Sequence, residues 1–283
     1  MITISAPAKI NLTLEVLGKR PDGYHEVRSV IQTISLADSL SFEMSDRLEF
    51  RSESAEWEGE KSLVSQAFTL MKNMAGAGKG ATISVSKRIP LLSGLGGDSS
   101  DAAVTLLGLN ELWGLGLTSS VLEPLARQLG SDVTFFLYGG TALVSGRGEI
   151  VTPLPPLPRR WVILALPQVP RLQGKTKLLY QSLRPNHYTD GSITQRLIDS
   201  LKSRKEFDES LSFNTFENVA FTVHSGLDVA RQHMVKIGAP HIHLAGSGPT
   251  LFTMLRDKSE AEDLFARLEG QGMETYLTET AAN

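Results

Sequence analysis

One segment of the chain, Pro90-Leu-Leu-Ser-Gly-Leu-Gly-Gly-Asp-Ser-Ser-Asp-Ala-Ala, concentrates the residue types best able to hold a phosphate. Gly94, Gly96 and Gly97 let a backbone bend and come close to a ligand. Ser99 and Ser100 follow where an apolar helix stripe begins. The N–H groups at a helix start, with the positive end of the helix dipole, attract an anion, and serine hydroxyls add donors or reach a phosphate-bound Mg²⁺. A glycine-rich turn with Ser99 as N-cap is the competing account. Three glycines and two serines in one strand-to-helix turn favour the phosphate. With no cysteine among 283 residues, disulfides, thiolate nucleophiles, iron–sulfur clusters and Cys-ligated zinc are excluded, and catalysis falls to Ser, Lys, His or carboxylates. Two decoys fail. Gly174-Lys175-Thr176 resembles the end of a Walker A loop, but Val169 stands where its first glycine belongs. Gly76 to Ala81 fits a dinucleotide-binding spacing but leads into a strand instead of opening a helix. The six histidines form no HExxH, and His241 and His243 read as a packing or surface pair on one strand face.

Several elements must position these residues. From Ile2 to Val16 the even positions are apolar and the odd ones mostly polar, which predicts a strand with one face in the core and Lys9 and Asn11 on its polar face. Pro7 marks a bulge or an edge in it. Leu63, Ala67, Leu70, Met71 and Met74 recur at helical spacing, and Ile83, Val85 and Ile89 alternate as a strand. After the glycine-rich loop, Ala102, Ala103, Leu106, Leu107 and Trp113 form a helix stripe, and a short helix covers Val121 to Leu129. Four prolines within TPLPPLPRR make 152–160 a linker between an amino-terminal domain, 1–151, and a carboxy-terminal one, 161–283. Beyond it the pattern predicts a strand over 161–166, helices over 176–183, 216–237 with a break near Gly226, and 259–268, two short strands flanking Ala245-Gly-Ser-Gly-Pro, and a strand near 275–277. Both domains read as α+β.

The apolar fraction of 41% without glycine is that of a globular protein. With 28 Lys and Arg against 31 Asp and Glu, the net charge is -3 and the pI about 6.1, which argues against a general nucleic-acid or membrane-surface binder. The start of the chain lacks the basic end, unbroken apolar run and cleavage site of a signal peptide, and no run approaches the ~20 apolar residues of a membrane span, so cytoplasmic residence is the expectation.

The loop resembles the Pro-x3-Gly-Leu-Gly-Ser-Ser-Ala-Ala signature of the GHMP kinases, the small-molecule kinases named for galactose, homoserine, mevalonate and phosphomevalonate. Its extra glycine and Ser-Ser-Asp-Ala-Ala ending are similar to the branch acting on a cytidylated methylerythritol. So are Ala6-Pro-Ala-Lys-Ile-Asn-Leu, Lys19-Arg-Pro-Asp-Gly-Tyr-His-Glu, Ser131-Asp-Val-Thr-Phe-Phe-Leu with Gly146-Arg-Gly-Glu, and Ala245-Gly-Ser-Gly-Pro-Thr. The order and approximate spacing agree from residue 6 to about 255. The resemblance implies a two-domain fold, with an amino-terminal domain like the second domain of ribosomal protein S5 and a ferredoxin-like carboxy-terminal domain. It also implies phosphoryl transfer from ATP, with Mg²⁺, to the C2 hydroxyl of 4-diphosphocytidyl-2-C-methyl-D-erythritol in non-mevalonate isoprenoid synthesis, by a monomer or homodimer.

By the same resemblance, Asp132 is the general base and Lys9 the cation that holds the reacting hydroxyl. ATP lies along Pro90, Leu91, Leu92, Ser93, Gly94, Leu95, Gly96, Gly97, Asp98, Ser99 and Ser100. Asn11, Tyr24, His25, Thr176 and Tyr180 meet the substrate, with the two tyrosine rings sandwiching cytosine, and Gly246, Ser247 and Gly248 turn toward the phosphates. Residues alone would make Lys9 a solvated strand lysine, Asp132 a cap, Tyr24-His25 the end of a turn, Tyr180 a core residue and 246–248 a ligand-free hairpin. Leu63 and Val64 are candidate adenine contacts or simply helix core. Asp98 stands where relatives commonly carry glycine, and Ser62 where many carry Asn. The Mg²⁺ ligands are not implied. A homoserine or mevalonate kinase, and a nucleotide-binding regulator that does no chemistry, are the alternatives.

Overall fold

The computed structural model describes residues 1–76, 78–203 and 207–282. In chain order the strands are β1 (Ile2–Lys19), β2 (His25–Ser45), β3 (Leu48–Ser52), β4 (Gly80–Ser86), β5 (Thr141–Gly146), β6 (Ile150–Pro153), β7 (Trp161–Leu166), β8 (Phe213–Asn214), β9 (His243–Leu244), β10 (Leu251–Leu255) and β11 (Glu274–Glu279). The helices are α1 (Leu63–Ala75), α2 (Gly97–Leu112), α3 (Ser119–Leu129), α4 (Ser131–Phe136), α5 (Lys175–Ser182), α6 (Ser192–Lys202), α7 (Glu217–Val223), α8 (Leu227–Lys236) and α9 (Lys258–Glu269). They form two compact units. The first holds Met1–Ala8, Leu36–Leu91 and Gly96–Gly139, and the second Lys9–Ser35, Leu92–Leu95 and Gly140–Asn283.

In the first unit the end of β2, from Ser39 to Ser45, pairs antiparallel with β4, which pairs parallel with β3. Helix α2 packs against α1, α3 and α4. Leu40, Phe42, Ile83, Val85, Phe68, Met71, Leu106 and Leu109 are buried there. Trp113 closes the layer, edge-on to Phe68 and donating from Nε1 to the Gly80 carbonyl at 3.3 Å. At roughly 25 cal/mol per Å², each large apolar side chain so buried contributes about 1.5–3 kcal/mol.

In the second unit the start of β2, Val27 to Gln32, pairs antiparallel with β5, and β5 with β6, while β1 meets β8 in parallel at Thr13 and Leu14. A second sheet runs β11-β7-β10-β9. Leu179, Phe216, Leu227, Met234, Leu244 and Leu264 are among its core residues, supplied by α5, α7, α8 and α9 and by the sheet. A bridge between Ile34 and Thr280 joins the two sheets.

Most of the expected elements lie within a residue or two of their predicted bounds, and Trp161–Leu166 agrees at both ends, but β4 stops at Ser86, short of Ile89, and helix α6 has no counterpart in the sequence reading. Three differences have physical reasons. Strand β2, 21 residues long, was not anticipated, because over 29–34 it buries both faces and the period-2 contrast vanishes. The same burial overturns the polar face of β1: Lys9, Asn11, Thr13 and Glu15 are all buried. Glu15 is accommodated because its carboxylate accepts the backbone N–H of Thr194 at 2.6 Å in the first turn of α6. Finally, His241 sits in a bend at φ 39° outside β9, so it does not share a strand face with His243.

Candidate functional site

The second unit gathers a polar line on β1. Lys9 Nζ donates to Asn11 Oδ1 at 2.8 Å, Asn11 Nδ2 donates to Ser29 Oγ at 2.9 Å, and Ser29 Oγ donates to the Thr13 carbonyl at 2.5 Å. Each donor finds an acceptor, so the Asn11 amide has one orientation and the Lys9 ammonium is aimed by it. The Lys9 backbone N–H donates to Leu95 O at 2.9 Å, which ties this strand to the glycine-rich loop.

Backbone meets backbone beside that lysine. Gly94, at φ 89°, lies so close to the turn after β9 that a β-carbon built on it would fall 2.3 Å from the Ala245 carbonyl and 2.9 Å from the Gly248 nitrogen. A β-carbon on Gly246 would fall 3.0 Å from Lys9 Nζ and 2.9 Å from the Gly94 carbonyl. Only glycine fits either position. The turn is closed by Gly248 N–H donating to Ala245 O at 2.8 Å, and Thr250 N–H donates to the loop's Ser93 carbonyl at 3.2 Å. Asn214 Nδ2 donates to the Leu244 and Gly246 carbonyls at 2.9 and 2.8 Å and fixes the turn from beneath. Thr176 Oγ1 donates to Ser247 Oγ at 2.9 Å, and the His224 ring meets the Ser247 carbonyl at 3.2 Å. Lys9, Asn11, Thr176 and residues 246–248 are thus brought together with Leu92, Ser93, Gly94 and Leu95.

The aromatic candidates occupy the same unit. His25 stacks on Tyr180, ring centroids 4.8 Å apart at 16°, and Tyr180 meets Phe216 edge-on at 4.9 Å. Burial, then the Lys19 charge, lowers the His25 pKa below the ordinary imidazole value, so the ring is neutral near pH 7. Tyr24 is 58% exposed, under the Arg147 guanidinium at 4.7 Å.

The first unit holds the remaining candidates. Pro90 and Leu91 end the segment after β4. Helix α2 starts at Gly97 with Gly96 as N-cap, three residues before the Ser99 cap considered from sequence. Asp98 and Ser99 therefore lie in the first turn with Ser100, whose buried Oγ has no hydrogen-bond partner. Beneath this turn Lys87 Nζ bonds Asp38 at 2.5 Å and Asp101 at 2.7 Å, and stands 3.9 Å from Asp98. Asp38 also accepts the Arg88 and Ile89 N–H groups, at 2.5 and 2.8 Å. One ammonium thus serves three carboxylates. Burial pushes Asp101 up to about 7, with Lys87 opposing and Asp38 adding to it. Burial works against the Lys87 ammonium, but the neighbouring carboxylates outweigh it and its pKa is raised. Asp132 is half-buried in the first turn of α4. Val64 is core, and Leu63 is half-buried at the start of α1.

Sequence reasoning missed Ser29, Asn214, His224, Lys87 and Lys175. For Lys175 a signal existed: it stands one helical turn before Leu179 on the buried face of α5. The Walker A comparison discarded that lysine along with the motif.

The geometry can be set beside known proteins. Residues 62–140 match the family described as GHMP kinases N terminal domain, and residues 197–273 the family described as GHMP kinases C terminal. A 4-diphosphocytidyl-2-C-methyl-D-erythritol kinase of Dehalococcoides mccartyi is 48% identical over 280 residues, covering 99% of this chain and 98% of its own. One of Bacillus cereus is 39% identical, covering 97% and 95%. A crystal structure of 4-(cytidine 5'-diphospho)-2C-methyl-D-erythritol kinase superposes with a TM-score of 0.84 at 31% identity over the whole of both chains.

Proposed function

The chain belongs to the GHMP kinase family, in its 4-diphosphocytidyl-2-C-methyl-D-erythritol kinase branch, and from that premise we propose how its residues divide the work of phosphoryl transfer. It is an ATP-dependent kinase of the methylerythritol route to isoprenoid precursors, acting on the C2 hydroxyl of its cytidylated substrate. Its fold is that of the family, with the two family domains divided, in our reading, at 152–160.

Phosphoryl transfer asks for positioning and charge stabilisation more than for covalent chemistry. The substrate oxygen bonds to the γ-phosphorus as the bond to the ADP oxygen breaks, and Asp132 accepts the hydroxyl proton. Lys9 holds that oxygen and offsets its developing charge. What supports this role, and carries the reading, is the buried Lys9 ammonium aimed by Asn11 at a turn where only glycine fits. The glycine-rich loop and residues 246–248 present backbone groups to phosphate. Tyr24, His25, Thr176 and Tyr180 take the cytidine end, and the neutral His25 ring offers one donor and one acceptor to a pyrimidine edge.

Among the described residues no cluster of three His, Asp or Glu could cage a metal. Mg²⁺ asks less, since it keeps its waters and phosphate ligands and needs only one or two hard oxygens from protein. The half-exposed Asp98 carboxylate in the first turn of α2 fits that requirement and would hold it, whereas Ser100, two positions on and fully buried, faces the interior. Bound with ATP, the ion neutralises phosphate charge. Such a role would also account for an acidic residue in a phosphate loop, since the short bonds of Lys87 beneath it go to Asp38 and Asp101. No helix of the described residues is long and apolar enough to cross a membrane. Cytoplasmic residence, as a monomer or homodimer, completes the reading.

The test is coupled ADP release with cytidylated methylerythritol, homoserine and mevalonate offered separately. Turnover is expected with the first alone. Turnover confined to either of the others, or ATP binding with no turnover on any, refutes it.

A further inference from the structure

Lys175 is an unusual place to bury a charge. It is 7% exposed at the first position of α5, and its Nζ donates to two backbone carbonyls, Leu92 of the glycine-rich loop and Gly248 of the turn after β9. No carboxylate is within ion-pair distance of it among the described residues. The groups that face it are cationic or titratable to cation: Lys9 from β1, Arg171 from the segment before α5, and His224 at the end of α7. An uncompensated buried ammonium is costly, and apolar replacement of such a group is often neutral or stabilising. Folding stability alone therefore does not call for a lysine here.

We propose that Lys175 is a positioning residue for phosphoryl transfer: its ammonium staples the Leu92 carbonyl to the Gly248 carbonyl and so holds the loop and the turn in the arrangement that receives nucleotide phosphate. This rests on the phosphate role given above to those two segments. Three observations converge on it. The stapled carbonyls belong to the two backbone segments that touch through Gly94. The neighbouring residue, Thr176, ties the same turn through Ser247. And both carbonyls, Leu92 and Gly248, are engaged by the one ammonium, so in the proposed arrangement their negative ends would be held on Lys175 and not turned toward phosphate. Leu92 pays for this with a left-handed φ of 53°, uncommon for a residue other than glycine.

The protonation state matters to a staple of this kind. Burial, then the charges of Lys9 and Arg171, brings the Lys175 pKa down from 10.5 to about 8. Above that pH the amine is neutral, and hydrogen bonds from a neutral donor are roughly half as strong as charge-assisted ones. Nucleotide affinity is therefore expected to weaken as pH rises through about 8.

The experiment compares the full-length enzyme with Lys175→Met and Lys175→Arg. It measures ATP KM and kcat in coupled ADP release from pH 6.5 to 9.5, ATP affinity by calorimetry without the acceptor, and the melting temperature. In the parent enzyme, ATP affinity should fall several-fold across pH 8. Lys175→Met should bind ATP on the order of ten-fold more weakly at pH 7, with no such fall and with a melting temperature equal to or above the parent's. Lys175→Arg should restore affinity at pH 9. Unchanged ATP affinity in Lys175→Met, or a loss of affinity that tracks a lowered melting temperature, overturns the proposal. If Lys175→Met does not fold, a parent profile flat across pH 8, or one that Lys175→Arg leaves unaltered, overturns it instead. A parent enzyme that binds ATP with these shifts but turns over no cytidylated methylerythritol would refute the function and leave the staple standing.

Discussion

Replacing Gly94 by alanine separates two costs that usually arrive together. Gly94 has φ 89°, and a side chain in the left-handed region costs an L-residue roughly 1–2 kcal/mol. Gly76, the C-cap of α1, combines a similar φ of 86° with ψ 176°, a conformation all but confined to glycine that costs another residue roughly 1–3 kcal/mol, but a β-carbon there meets nothing within 4 Å among the described residues. Gly76→Ala therefore carries the strain alone. It should lower the melting temperature by about 2–12 °C, at 2–4 °C per kcal/mol for a domain of this size, and leave turnover within two-fold. Gly94→Ala adds a collision. Its β-carbon starts 2.3 Å from the Ala245 oxygen, and the contact must open to at least 3.0 Å, a retreat of about 0.7 Å by loop or turn. Both sides are backbone, so no rotamer change relieves it. A shift approaching 1 Å in a group that positions phosphate costs on the order of 10²-fold in rate. Coupled ADP release should show kcat/KM for ATP down by about that factor, beyond anything the thermal shift explains. If Gly94→Ala keeps kcat/KM within about three-fold of the parent, the close approach of loop and turn does not matter to catalysis, and the reasoning fails. The same holds if Gly76→Ala is equally damaging.

Asp132→Asn removes a proton acceptor and no phosphate contact, so kcat should fall by roughly 10²–10⁴-fold while ATP affinity by calorimetry stays unchanged. Tyr24→Ala should raise the substrate KM by about 10- to 100-fold, the equivalent of roughly 1–3 kcal/mol of base stacking, with the ATP KM unaffected; an unaltered substrate KM removes Tyr24 from the cytidine site. Asp101 carries the pH dependence of the first unit. Its folded pKa of about 7 lies above the unfolded 3.8, so the folded state holds the proton more tightly, and stability falls as pH rises between about 4 and 7. Asp101→Asn keeps an acceptor for Lys87 without the charge. Its melting temperature should therefore gain on the parent's from pH 5 to pH 8, and a constant difference between the two curves counts against the shared-lysine account.

How far the sequence disclosed this molecule depends on where a signal is local. The glycine-rich loop, the strand over 161–166 and the helix over 258–269 are written in adjacent residues, and pattern suffices. Lys9 and Asn11 were picked out by resemblance, but their burial was not legible, since a strand covered on both faces looks the same in sequence as one with a solvated edge until its neighbours are known. Strand β2 escaped for that reason. Helix α6 begins at Ser192 without an acidic residue in its first turn, because Glu15, 179 positions earlier than Thr194, supplies the carboxylate. Lys175 and Asn214 likewise act on carbonyls far along the chain, and no spacing rule reports a contact between residue 175 and residue 92.

The long reach of β1 also fixes an order of events in time. Thr13 and Leu14 pair with Phe213 and Asn214, Leu14 O accepts the N–H of Thr215, and Lys9 abuts Gly246. At about 5–20 residues per second of synthesis, residue 9 leaves the ribosome roughly 10–40 s before its partners exist. A nascent chain halted before residue 213 thus carries the whole glycine-rich loop and the reactive lysine with Asn11 beside it, but not the turn at Gly246 that the lysine abuts. Until then Leu14 lacks core neighbours such as Phe216 and Leu244, so this part of the strand gains its full cover only when the last third of the chain has been made.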